Sequence, residues 1–167
     1  SSLGTRMPQD FDLQSLVKAL RQRKSLAAFA IFLISSVILT WPVVPDLNRR
    51  IYGYAGDSTG SIYDIWLQKT SGLKFFGHRN SLLRGYPFGI RMNIWPQLTS
   101  GLLISVGWLV SQLVSEVATY NLLILSGLTL TGFAMYALLT QQGFSFAIAI
   151  WGGLAFTMFP FHQMSAT

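Results

Sequence analysis

Leu26-Ala27-Ala28-Phe29-Ala30-Ile31-Phe32-Leu33-Ile34-Ser35-Ser36-Val37-Ile38-Leu39-Thr40-Trp41-Pro42-Val43-Val44 carries no charge from end to end. A helix needs about 20 predominantly apolar residues to cross the hydrocarbon core of a bilayer, and this run is long enough. Pro42 and Pro45 close it, because proline lacks the amide donor and clashes with the preceding turn. A basic stretch precedes it, as in a secretory signal. The run nevertheless exceeds the roughly 7–15 apolar residues of a signal core, and no small-x-small cleavage site follows. It reads as a membrane span, 26–44. The cluster Lys18, Arg21, Arg23 and Lys24 just before it argues for a cytoplasmic N-terminus.

The composition agrees with that reading. Of 167 residues, 51% are hydrophobic and 11% charged, against roughly 25% charged in a soluble domain. The formal net charge is +6. In an uncharged-rich, apolar chain such cations flank spans and meet lipid phosphates, so membrane lipids rather than nucleic acid are the expected partners. The absence of cysteine excludes disulfides, thiol catalysis and Cys-ligated zinc or iron–sulfur centres. No internal repeat or low-complexity tract is visible.

Ahead of the first span, residues 8–24 read as an amphipathic helix. Leu13, Leu16, Val17 and Leu20 recur at helical spacing, and acids at Asp10 and Asp12 precede the cations, as the helix dipole favours. Such a helix lies on an anionic membrane surface or packs on a partner. Residues 1–24 are therefore set apart as an N-terminal cytoplasmic segment, and 25–167 as a transmembrane region.

Three further apolar runs follow a long connection, 46–96. They are 98–114, 117–139 and 144–159, the last near the lower limit for a span and so also readable as re-entrant or interfacial. Gly127 and Gly132 in the third span suit close helix approach, and Gln141-Gln142-Gly143 reads as a turn. Glu116 reads as the cap of the third span. The expected fold is an all-α membrane protein with three to four transmembrane helices, an N-terminal amphipathic helix and a helical first external loop. That loop also carries Arg49, Arg50, Lys69, Lys74, Arg79, Arg84 and Arg91, an excess of cations for a translocated segment.

Within the connection, 58–69 reads as a helix with Ile62, Ile65 and Trp66 on one face, and Tyr86-Pro87-Phe88-Gly89 as a turn. Asp57 opens that helix after Gly56. A carboxylate there can act as a general base toward an acceptor hydroxyl or bind a divalent metal; it can equally serve as a helix N-cap. Asp64 lies two turns further along the same face, either as a second carboxylate or as the wet side of an interfacial helix, the latter being the expectation. Arg84 and Arg91 flank the turn, where arginine suits phosphate or snorkels to the interface. His78 reads as a loop residue, and His162 as a ligand or base at most.

Taken in order, the basic N-terminus, one span, Gly56-Asp57 leading to Trp66, Tyr86-Pro87-Phe88-Gly89, closely spaced spans and Phe159-Pro160-Phe161-His162 resemble the N-terminal part of prokaryotic membrane glycosyltransferases of the GT-C fold. The resemblance begins near Leu26. It implies transfer of a hexose or pentose from a polyprenyl-phosphate carrier at the outer face of the cytoplasmic membrane, with a catalytic acid in the first external loop, often beside a divalent metal such as Mg or Mn. Asp57 matches that acid, as catalyst and metal ligand; Arg84 and Arg91 match carrier-phosphate contacts by position. It also implies further spans and a C-terminal domain, so these 167 residues alone are expected to be incomplete as a catalyst. The alternative is a non-catalytic accessory subunit, descended from such an enzyme, within a larger membrane complex of other protein subunits.

Overall fold

The computed structural model describes residues 13–53, 57–71, 80–81, 86–91 and 101–159. These are helical apart from one short ladder. The elements are α1 (Leu13–Leu39), α2 (Asp57–Ser71), β1 (Asn80–Ser81), β2 (Ile90–Arg91), α3 (Gly101–Ser111), α4 (Glu116–Gln141) and α5 (Phe146–Thr157).

α1 contains neither proline nor glycine over its 27 residues, so nothing interrupts its ladder. It runs without a break from the basic stretch into the first apolar run. The sequence reading had divided these two at Lys24. The helix stops at Leu39, short of the end of the apolar run, because Pro42 cannot donate and disfavours helix at the residue before it. Its last turn tightens as the Trp41 amide donates to the Ile38 carbonyl at 3.2 Å. Val44–Asp46 then forms one turn of 3-10 helix.

α4 starts and stops on side-chain and backbone chemistry legible in its sequence. Ser115 is the N-cap and accepts from the Ala118 amide at 3.2 Å. Glu116, expected as the cap, is the first helical residue instead. At the far end Gly143 takes φ +86°, and the Phe144 and Gly143 amides donate back to the Leu139 and Thr140 carbonyls at 3.1 and 3.2 Å. This paired arrangement satisfies the last carbonyls and needs a left-handed residue. Ser145 then caps α5, so Phe144 and Ser145 belong to the junction.

α1, α4 and α5 pack as one unit around Phe32, which is 1% exposed. Its ring lies against Gly132 and Gly153: a Cβ at either position would come within 2.6 Å and 2.5 Å of it. The two glycines therefore supply the space the ring occupies. Tyr136 extends the cluster, stacking on Phe133 with centroids 5.9 Å apart and meeting Phe146 edge-on. Gly127, expected at a close approach, has nothing within 4 Å of a Cβ and faces outward. Gly107 of α3 lies against Leu123 of α4.

Polar groups are inside and large apolar groups outside. Ser36, Thr119, Thr129, Thr157 and Ser111 are buried, whereas Leu26, Ile34, Ile38, Leu130 and Trp151 are exposed. The Thr129 hydroxyl donates across to Ser36 Oγ at 3.0 Å, and Ser36 donates to the Phe32 carbonyl at 2.8 Å. Hydrogen bonds between helices, with small residues at the contact, hold bundles together where the surroundings are as apolar as the core.

Among the described residues, two helices are long and apolar enough to cross a membrane: α4, and α1 over Gln22–Leu39. α4 would extend ~39 Å at 1.5 Å per residue. α5 would reach only ~18 Å, well short of the roughly 30 Å hydrocarbon core. The apolar run at 144–159 thus forms a shorter helix than its length as a run implies; of the run at 98–114, residues 98–100 lie outside the described residues.

Candidate functional site

The segment between α1 and α2 is fastened to the first turns of α4 by side chains of α4 itself. Asn121 is 3% exposed. Its amide Nδ2 donates to the Leu47 carbonyl at 2.9 Å and the Arg50 carbonyl at 2.7 Å, and its Oδ1 accepts from the Tyr52 amide at 3.1 Å. This fixes the orientation of the amide, since a flipped group would face two carbonyls with an acceptor. Six residues earlier, at the N-cap of α4, Ser115 donates to Asn48 Oδ1 at 2.8 Å.

Tyr120 continues the fastening into α2. Its hydroxyl donates to Ser58 Oγ at 3.1 Å, and Ser58 in turn donates to the Tyr52 carbonyl at 3.3 Å. Burial, reinforced by the neighbouring Tyr120, raises the Tyr52 phenol above its ordinary pKa, so it stays neutral at physiological pH. At the other end of α2, Lys69 Nζ pairs with Glu116 Oε1 at 3.0 Å, an exposed contact of the kind worth at most about 1 kcal/mol. Both ends of α2 are therefore tied to α4 between Glu116 and Tyr120.

These bonds determine where α2 begins. Asp57 is its first residue, adjacent to the Ser58 that Tyr120 holds. Helix boundaries carry an ambiguity of a residue or so, and an acid in the first turn complements the helix dipole in either register. Asp57 thus stands at the start of a helix fastened to the polar end of the longest apolar helix.

The other sequence-predicted residues are not gathered around it. Asp64 is 8% exposed, on the inner side of α2 with Ser58 and Leu67 rather than on its wet side. The rise between Asp57 and Asp64 is ~10 Å, so they do not form an adjacent carboxylate pair. Trp66 is exposed and contacts Tyr63 with centroids 5.5 Å apart. Arg91 falls in β2, opposite Asn80. Arg84, His78 and His162 lie outside the described residues, as do residues 8–12 of the amphipathic reading.

No group of three His, Cys, Asp or Glu comes together as a metal site among the described residues. Mg²⁺ is often held by one or two carboxylates together with substrate phosphates. Asp57 is a donor of that kind.

The fastening residues were not singled out from the sequence. Thr119-Tyr120-Asn121 near the start of an apolar run was the available signal, because a buried amide requires partners. Asn121→Ala is expected to lower stability by about 1–2 kcal/mol, since three backbone groups lose their partner but water can replace some of those bonds. It should also speed tryptic cleavage after Arg49 or Arg50. Unchanged thermal unfolding and cleavage would mean that the segment is held by other contacts.

Comparison with protein-family models, with curated proteins and with solved structures gives no match.

Proposed function

We propose that this chain is the N-terminal portion of a membrane glycosyltransferase acting on a lipid-phosphate-linked sugar, with Asp57 as the general base. In this reading α1 and α4 cross the membrane, the run at 98–114 that contains α3 forms a further span, α5 spans or enters it part-way, and the N-terminus is cytoplasmic. The observation that carries the reading is the fastening of the segment before Asp57 to α4. Tyr120 and Asn121 hold it at the end of an apolar helix, where a lipid-linked donor and a water-soluble acceptor can meet.

Asp57 would accept the proton of the acceptor hydroxyl as its oxygen bonds to the anomeric carbon. The sugar–phosphate C–O bond breaks and the lipid phosphate leaves with the electron pair. Arg84 and Arg91 are the cations proposed to meet that phosphate, which suits the planar, bidentate guanidinium. A divalent metal on Asp57, if bound, would supply charge neutralisation at the phosphate.

The test is transfer of a labelled sugar from a polyprenyl-phosphate donor by the full-length protein in proteoliposomes, wild type against Asp57→Asn. Loss of transfer with folding intact supports the reading. Equal transfer by both proteins removes Asp57 from catalysis. Absence of transfer in the wild type, with stoichiometric partner proteins in the natively purified particle, favours the accessory-subunit alternative.

A further inference from the structure

The most exposed aromatic side chains named so far in no role are at the turn Tyr86-Pro87-Phe88-Gly89. Tyr86 is 84% exposed and Phe88 93%. The turn lies between β1 and β2, which pair antiparallel with Ser81 opposite Ile90 and Asn80 opposite Arg91. The turn directly precedes β2 in the connection between the two strands. Gly89, at φ +73°, takes the left-handed conformation that favours glycine.

The charge around the turn identifies what it contacts. Lys74, Arg79, Arg84 and Arg91 lie between the end of α2 and the end of β2, and no Asp or Glu occurs between Asp64 and Glu116. A wholly cationic segment bearing a tyrosine and a phenylalanine matches an anionic lipid surface: aromatic side chains sit at headgroup level, and cations meet lipid phosphates.

We propose that the Tyr86-Pro87-Phe88-Gly89 turn is an interfacial anchor, seating Tyr86 and Phe88 in the headgroup region of an anionic leaflet drawn by the cations of the surrounding sequence. The proposal requires a membrane-embedded chain but not sugar transfer, so it stands or falls separately from the role of Asp57.

The lack of cysteine makes the test direct. Phe88→Cys in the full chain carries one spin label, and the protein is reconstituted into phosphatidylcholine vesicles with or without phosphatidylglycerol. Collision with oxygen, which concentrates in lipid, is compared with collision with a water-soluble nickel chelate. Tyr86→Cys, which retains Phe88, repeats the measurement in case the label at 88 itself removes the anchor.

The expected result is a several-fold higher oxygen-to-nickel ratio in the vesicles containing phosphatidylglycerol. Lys74→Gln combined with Arg79→Gln, cations given no role at the carrier phosphate, should lower that ratio toward its value in phosphatidylcholine alone. Nickel-dominated collision in both vesicle types would place the turn in water and overturn the proposal. Low access to both reagents would mean a protein surface covers the turn, and would also overturn it. Equal lipid contact in both vesicle types would overturn the assignment to an anionic surface.

Discussion

Asp57→Asn is expected to reduce sugar transfer by about 10²–10⁴-fold, the usual contribution of a positioned general base. The substitution keeps the size and shape of the side chain but removes its capacity to take a proton at neutral pH. The cost to folding should be small. Asparagine is as good a helix cap as aspartate, and loss of the negative charge from the first turn of α2 costs about 0.3–1 kcal/mol. Ser58, Tyr120 and Asn121 are unaltered, so the fastening of the preceding segment survives. Asp57→Ala separates the two roles. A residue serving only as a cap would lose about 1 kcal/mol of stability as alanine while transfer stayed constant in both variants. The checks are initial rates in proteoliposomes alongside thermal unfolding in the same preparation.

Gly153→Ala carries the largest expected effect on stability. A Cβ there would lie 2.5 Å from Phe32 Cζ and 2.7 Å from the Gly132 carbonyl oxygen. The ring is enclosed, and the carbonyl belongs to the backbone of α4, so α5 must move away from α4. Overpacking of this kind costs about 1–3 kcal/mol. Alanine's better helix propensity offsets up to about 1 kcal/mol. We expect a net loss of about 2 kcal/mol in detergent unfolding. Gly127→Ala supplies the contrast: it has open space around it, and only the propensity gain should remain. Opposite signs at two glycines are the expected outcome; equal effects would mean that the helices do not pack through Gly153.

The helical class and the long fourth helix were readable because an uninterrupted apolar run leaves few alternatives. The run 117–139 lies within Glu116–Gln141, and Gly143 signals its end. Lengths were less legible where apolar residues belong to turns. Val43 is buried after α1 has ended, and Phe144 lies in the junction before α5, so counting hydrophobic residues overstates both helices. In α2 the helix is legible but its buried side is not. The spacing puts Ile62, Ile65 and Trp66 on one face and Asp64 toward water, whereas Ser58, Asp64 and Leu67 are the buried residues, because α2 packs on α4 through the side that carries Ser58, the partner of Tyr120.

The candidate site was only partly legible. Asp57 could be singled out from local chemistry, but what holds its neighbourhood could not. Asn121 bonds to Leu47, Arg50 and Tyr52, far away in the chain, and two of those bonds are to carbonyls that every residue possesses. Hydrophobic periodicity contains no record of such pairings. The same holds for Tyr120 and Ser58.

The bonds made by Asn121 have a bearing on how this region moves. Were residues 47–52 an ordinary surface loop, their amides would exchange with solvent through small local openings. Held as they are, release of the Tyr52 amide requires Asn121 to let go from within the second turn of α4. The loop and that turn should therefore open as one cooperative unit, slowing exchange at Tyr52 relative to an untethered loop. A ligand reaching the start of α2 would then meet a backbone already in place and spend little of its affinity on ordering it. This arrangement favours a preorganised rim over a mobile lid.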